Sequence, residues 1–262
     1  MDIIKDKNFE EQLCKIIVEA GKLLLTYLGK KHDYMEKEDG SFATEADIAS
    51  EQFLIKKLGE LLPEAGFLAE ESGVSGNKCI DYCWVIDPID GTTNFAHGFP
   101  YFGVNVALTY KDEPIIGVTY NSMADELFFA KKGGGAFLNG ERIGVSDQSD
   151  MSKALVSLAV PCNKKSCIDF QSVTKLIIEE IAPTIRKLGS ACLDLANIAC
   201  GRLDVAVLKY VSWWDIAAGI VLVREAGGIV SEFDKDTINP DFTTCIASNK
   251  HIIKPFKELL VK

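Results

Sequence analysis

Residues Trp84 to Phe95 read WVIDPIDGTTNF: an apolar run, two aspartates three apart (Asp87 and Asp90), then Gly91-Thr92-Thr93. Two carboxylates at the end of an apolar strand cannot both point into a core, because a buried, unpaired charge is strongly destabilising. Between Glu70 and Asp90 the only cationic side chain is Lys78. A divalent cation is therefore the readiest compensation, and oxygen donors favour Mg²⁺ over zinc. Taken alone, the pair also fits an ordinary turn, with Asp87 capping the chain before Pro88 and Asp90-Gly91 forming the bend.

Three more carboxylates weigh toward the metal. Glu70 follows a short strand, so a neighbouring strand could deliver it to the same edge. Asp215 follows Trp213-Trp214 at a helix start, and Asp47 occupies another helix start beside Thr44; both are positions where the helix dipole stabilises an anion. Acidic groups gathered at one edge repel one another unless cations join them. The segment Gly91-Thr92-Thr93-Asn94 reads as the opening of a short helix, whose free N–H groups would bind an anion. A metal cluster beside an anion site describes hydrolysis of a phosphate ester.

The elements that must hold these groups follow from periodicity. Asn8 and Glu11 suggest a capping box for a first helix running to about Gly29, with apolar residues from Leu13 to Leu24 at helical spacing. Residues 30–43 read as a loop. Thr44 caps a second helix with a stripe of Ile48, Leu54, Ile55, Leu58 and Leu61, stopped by Pro63. Phe67-Leu68-Ala69 and Cys83 to Ile86 are strands. Between 103 and 138, GVNVALTY, IIGVTY and ELFFA are separated by turn-rich segments, an antiparallel meander. From ALVSLAV onward the chain alternates: helix 169–182, helix SACLDLANIAC, strand DVAVL, helix DIAAGIVLVREAG closing on Gly227, then strands GIVSEF and CIASN. That alternation is an α/β layer pattern.

The 262 residues, 47% apolar, suffice for one large domain, with subdivisions near 1–145 and 146–262. A net charge of −10 argues against nucleic acid as the main partner. The N-terminal MDIIKDKNFEE carries no targeting pattern, and nowhere does an uncharged apolar run approach the roughly 18 residues of a membrane span, so a cytoplasmic protein is expected. The eight cysteines are scattered without a CxxC pair and read as buried thiols; three histidines are too few for an imidazole metal cage or a Ser-His-Asp hydrolase. Position 88 is proline, which removes the nucleophilic aspartate of aspartyl-phosphate enzymes, and no P-loop occurs.

WVIDPIDGTTNFAHGFP, with AEESG before it and LGSACLDLANIACGRLD and WWDIAAG after it, resembles the inositol monophosphatase family of metal-dependent phosphatases over nearly the whole chain. The resemblance implies an α+β fold, a layered αβαβα sandwich with the active site between its two parts. It further implies that Glu70, Asp87, the carbonyl of Ile89, Asp90 and Asp215 hold two or three Mg²⁺ ions, with Glu71 a neighbour of the ligands rather than a ligand. Thr92 paired with Asp47, together with Glu70, would prepare the attacking water. Gly91 and Thr92 amides would hold the phosphate, next to Ile89, Asp90 and Asp215, while Gly189, Ser190 and Ala191 would line the substrate's organic part. A lithium-sensitive homodimer acting on a small phosphate ester, with no membrane and no nucleic-acid partner, is the implied setting.

Substrate choice is less defined. Inositol-phosphate members of the family commonly carry an acidic residue seven positions before the aspartate of the WD motif; here that position is Leu208. Arg186 and Lys209 could contact a second phosphate, as in dual fructose-1,6-bisphosphatase relatives, or be solvated surface charges. Nucleotide bisphosphatase activity and a regulatory role at RNA or ribosomes rank lower. Trp213 and Phe99 read as core or interface aromatics.

Overall fold

The computed structural model describes residues 6–29, 35–36, 42–76, 81–160, 167–180, 184–242 and 244–260, and the structural statements below concern these. Helix α1 (Lys7–Leu25) starts before the expected cap. The Asp6 carboxylate accepts the N–H groups of Asn8 and Phe9, which puts Asn8 inside the first turn. It also ends short of Gly29, where the Thr26 hydroxyl turns back to the Leu23 carbonyl. A two-residue ladder, β1 (Met35–Glu36) with β2 (Phe42–Ala43), lies within the segment read as loop; the rest of 30–41 lies outside the described residues, as do Cys79, Cys162 and the Cys167 side chain. The other five cysteines are free thiols.

Helix α2 (Glu45–Leu61) begins at Thr44 with a reciprocal capping box to Asp47. Its buried face is Ala46, Asp47, Ser50, Glu51, Leu54 and Leu58. Ile48 is exposed, contrary to the apolar stripe expected there. The helix is rotated so that its N-terminal half presents polar groups inward, toward the site that uses them.

The larger sheet has the order β10-β9-β8-β7-β6-β5-β3-β4. Its strands are β3 (Gly66–Ala69), β4 (Gly73–Ser75), β5 (Tyr82–Asp90), β6 (Gly103–Tyr110), β7 (Glu113–Asn121), β8 (Glu126–Lys131), β9 (Gly135–Leu138) and β10 (Glu141–Arg142). Only β3 and β5 pair in parallel; the rest is the antiparallel meander read from the turns. Between β5 and β6 runs α3 (Thr92–Ala96).

The second sheet, β12-β11-β13-β15-β14, is mixed. Strands β11 (Val156–Ala159), β12 (Ile185–Arg186) and β13 (Val205–Lys209) are parallel, whereas β15 (Thr244–Ser248) is antiparallel to β13 and β14 (Ile229–Ser231). Helices α4 (Cys167–Glu180), α5 (Ala191–Ala199), α6 (Trp213–Glu225) and α7 (Ile253–Leu260), with a 3-10 turn at Met151–Lys153, complete the described elements.

Strand alternation sorts side chains into three apolar layers. On β5, Trp84 and Ile86 join Leu13, Ile17, Leu54 and Leu58 of α1 and α2, while Val85 faces the opposite way. The middle layer packs Val85 and Ala107 against α5 and α6, and these against Ala206, Leu208, Cys245 and Ala247 of the second sheet. Val205, Val207 and Ile246, one residue out of phase, meet Ile177 of α4 and Phe256 of α7. The result is helix, sheet, helix, sheet, helix. Trp213 is buried in the middle layer; Phe99 is half exposed.

Candidate active site

The parallel pairing of β3 and β5 brings their carboxyl ends side by side, and the Glu70 N–H continues the ladder to the Ile86 carbonyl at 3.1 Å. Strand β5 runs on through the motif instead of stopping at Ile86. In an unbroken strand, residues 87 and 90 would face opposite sides. The register breaks between them: Asp87 pairs with Asn105 and Asp90 with Gly103, three steps on β5 against two on β6. This extra residue is a bulge, and it lets both aspartates reach the same space. Carboxylate oxygens of Asp87, Asp90 and Asp215 lie within 4.8 Å of one another.

Each is anchored through one oxygen. Asp87 Oδ1 accepts the Ile89 N–H (3.0 Å). Asp90 Oδ2 accepts the Ser190 hydroxyl (2.9 Å) and the Cys192 N–H. Asp215, the N3 residue of α6, accepts the Ser212 N–H through Oδ2 (2.6 Å). The start of α6 is in turn held by buried Asn105, whose amide donates to the carbonyls of Trp214 (2.7 Å) and Asp215 (3.2 Å) while its own oxygen accepts from Thr119 (2.7 Å).

Electrostatics set these carboxylates against their surroundings and one another. Burial, then the charges of Glu70, Asp90 and Asp215, push Asp87 well above the carboxylate range. Burial, then Asp90, does the same to Asp215. Asp90 rises to about 6, burial outweighing the N–H and hydroxyl it accepts. Glu70 contributes to all three shifts, which locates it among them. Carboxylates that raise one another's proton affinity are sites for a competing cation, and this all-oxygen donor set suits a hard divalent ion.

Beside them, Thr92 Oγ1 lies 3.0 Å from Asp47 Oδ1 and 3.0 Å from the Ile89 carbonyl oxygen. Asp47 is fully buried, its second oxygen held by the Thr44 N–H (2.7 Å) and hydroxyl (2.6 Å), and burial raises its pKa. Gly91, at φ 95°, caps α3 in the left-handed region; a Cβ there would sit 3.1 Å from the carbonyls of Gly189 and Tyr101. Asn94 ties the two loops together by donating to the carbonyls of Tyr101 (2.7 Å) and Leu188 (2.8 Å). Of the three residues expected along the substrate, Gly189 is exposed, whereas Ser190 turns to Asp90 and Ala191 is buried in the middle layer.

Leu208 is fully buried in that same layer and presents no surface to a substrate. Arg186 is exposed, its Nη1 donating to the Ile185 carbonyl (3.0 Å), and Lys209 Nζ lies 5.1 Å from the Tyr210 ring centroid. Neither observation ties these cations to the carboxylates. Asn105 and Glu51 carry no expectation from the sequence, and Asn94 is expected there only as part of a helix opening, not as the tie between two loops. Only Glu51 carried a signal, its spacing of four from Asp47 on one helix face.

The inositol monophosphatase family model matches residues 5–261. An inositol-1-monophosphatase of Synechocystis sp. is 36% identical over 93% of this chain and 85% of that protein. The extragenic suppressor protein suhB of Bartonella henselae superposes with a TM-score of 0.90 at 32% identity, covering 97% of this chain and 98% of that one. The inositol monophosphatase of Anabaena (Nostoc) sp. does so at 0.87 and 34%, covering 97% and 96%. A match of this extent, on a fold whose carboxylates converge as described, makes the chain a member of the inositol monophosphatase family and a phosphoric monoester hydrolase.

Proposed function

We propose that the chain hydrolyses inositol 1-phosphate and other small sugar phosphates in a Mg²⁺-dependent reaction. Glu70, Asp87, Asp90, Asp215 and the Ile89 carbonyl would hold two or three ions. The supporting observation is the convergence of Asp87 and Asp90 of β5 with Asp215 of α6 beside the Thr92–Asp47 pair. When bound, Mg²⁺ would neutralise charge on the phosphate oxygens and make a nearby water more acidic.

The chain's own residues handle the proton. Thr92 Oγ1 donates to Asp47 Oδ1, which leaves a lone pair on Oγ1 to accept a hydrogen bond from the attacking water. As the water oxygen bonds to phosphorus, its proton passes to Thr92 Oγ1 and the Thr92 proton to Asp47, whose burial favours the protonated form. The bond from phosphorus to the leaving oxygen breaks, and that oxygen takes a proton from solvent. The N–H groups of Gly91 and Thr92 steady the phosphate, and no phosphoenzyme forms. Lithium sensitivity and a cytoplasmic homodimer accompany this reading.

Phosphate release from inositol 1-phosphate should require Mg²⁺ and vanish in excess EDTA; equal turnover in EDTA would sink the proposal. A second reading, dual action on fructose 1,6-bisphosphate, rests on the sequence alone: leucine at position 208 leaves no acidic acceptor there, and the buried side chain makes no substrate contact of its own. The loss of one acceptor for a polyol hydroxyl costs roughly 0.5–1.5 kcal/mol, or about 2- to 13-fold. A parallel kcat/KM panel should therefore show inositol 1-phosphate as a good substrate and fructose 1,6-bisphosphate as a detectable one.

A further inference from the structure

We propose that Glu51 is a positioning residue for Glu70, setting the affinity of the site for divalent metal. The inference rests on the metal reading above and assigns a role to a side chain that the reaction itself does not use. Glu51 lies one turn beyond Asp47 on α2 and is 3% exposed. Its Oε2 accepts the Glu71 N–H at 2.8 Å and its Oε1 the Ser72 N–H at 2.9 Å.

Those two groups belong to the three-residue turn Glu70-Glu71-Ser72 that reverses β3 into β4, closed by the pairing of Ala69 with Gly73. The N–H of Glu70 itself goes to Ile86 on β5. The backbone around Glu70 is thus clamped on one side to the strand carrying Asp87 and on the other to the helix carrying Asp47. A buried carboxylate is a poor choice for merely closing a turn, since removing it from water is costly unless hydrogen bonds compensate it. What it supplies is two acceptors on one planar group, able to take two adjacent N–H donors in charge-assisted bonds. Glutamine has nearly the same shape but a single acceptor, and its NH₂ would face one of the N–H groups.

The test combines hydrogen exchange on the wild-type protein with a Mg²⁺ titration of Glu51→Gln. In wild type, the Glu71 and Ser72 amides should exchange slowly although Ser72 is exposed, and Mg²⁺ should slow them further, because coupling between clamp and metal is reciprocal. In Glu51→Gln, the Mg²⁺ concentration for half-maximal thermal stabilisation and for half-maximal activity should rise about 10- to 100-fold. KM for substrate and kcat at saturating Mg²⁺ should stay near wild type. A variant that melts lower with an unchanged Mg²⁺ requirement would reduce Glu51 to a structural role and overturn the proposal. So would amides at 71 and 72 that are unprotected or indifferent to Mg²⁺, a result that needs no variant to fold. A wild-type protein that Mg²⁺ leaves unchanged throughout would overturn the metal reading, and the proposal with it.

Discussion

Asp90 concentrates the conflict the site is built on. Burial raises its pKa to about 6, so at pH 7.5 the metal-free protein carries a charge its surroundings disfavour. Asparagine at this position keeps an oxygen for the Ser190 hydroxyl and the Cys192 N–H but loses the charge. Asp90→Asn should therefore lower kcat at least about 100-fold, the scale of losing an electrostatic stabiliser. Metal-free, it should melt no lower than wild type at pH 7.5. Phosphate-release assays and EDTA melts check this; near-normal kcat would remove Asp90 from the site. Thr92→Ala separates a different function. Its hydroxyl bridges Asp47 and Ile89 without contributing charge, so the variant should lower kcat more than it raises KM, and steady-state kinetics with unchanged kcat would exclude Thr92 from the proton path.

At the scale of elements, the turn from β5 into α3 sets the spacing between the carboxylates and the loop before α5. Gly91 has a left-handed φ and 3.1 Å clearance to two carbonyls, so Gly91→Ala should cost at least the ~1–2 kcal/mol of a left-handed L-residue. It should lower Tm by roughly 2–8 °C in a domain of this size and reduce activity with it; calorimetry showing an unchanged Tm would mean the turn can relax. Elements with strong local chemistry were legible in the sequence: the Thr44–Asp47 cap, the meander, and the helix closing on Gly227. Others depended on choices that local chemistry does not decide. Asp6 and Asn8 can both cap a helix, and Asp6 is the one that accepts the free N–H groups of the first turn. Ile48 fits an apolar stripe, but the inward face of α2 belongs to Asp47 and Glu51. The bulge in β5 is invisible until β6 lies beside it. Helix α7 drew no expectation from the sequence, and its Pro255 lies in the first turn, where a proline removes no interior hydrogen bond. The ligand set was legible because its residues sit at element ends; Asn105 gave no signal and Glu51 only its spacing from Asp47, because both act on backbone groups distant in sequence.

The whole molecule folds around buried acid, which makes its stability depend on protons and cations together. Asp90, and Asp194 of α5, which accepts the Tyr101 hydroxyl (2.8 Å), have folded pKa values near 6 and 7, raised by burial above the ordinary carboxylate value, and burial raises Asp87 and Asp215 as well. A raised folded pKa contributes stability that is complete below the unfolded pKa and is lost as pH climbs through the folded value. In EDTA, Tm should therefore fall as pH rises from about 5.5 to 8, and the slope should be shallower in Asp90→Asn, which shares the net charge of the remainder but lacks this titration. Mg²⁺ acts in the opposite sense, since it binds the ionised cluster and must displace protons from it. At 100 times its Kd it should add about 2.7 kcal/mol, roughly 5–10 °C, near pH 7.5. At a fixed Mg²⁺ concentration the increment should shrink as pH drops through 6, where Asp90 takes up its proton. Melting curves at several pH values, with EDTA and with Mg²⁺, read both trends at once. A Tm in EDTA that rises with pH across this window would show that ionising these buried carboxylates does not destabilise the fold, and a Mg²⁺ increment indifferent to pH would show that the ion is held by other groups.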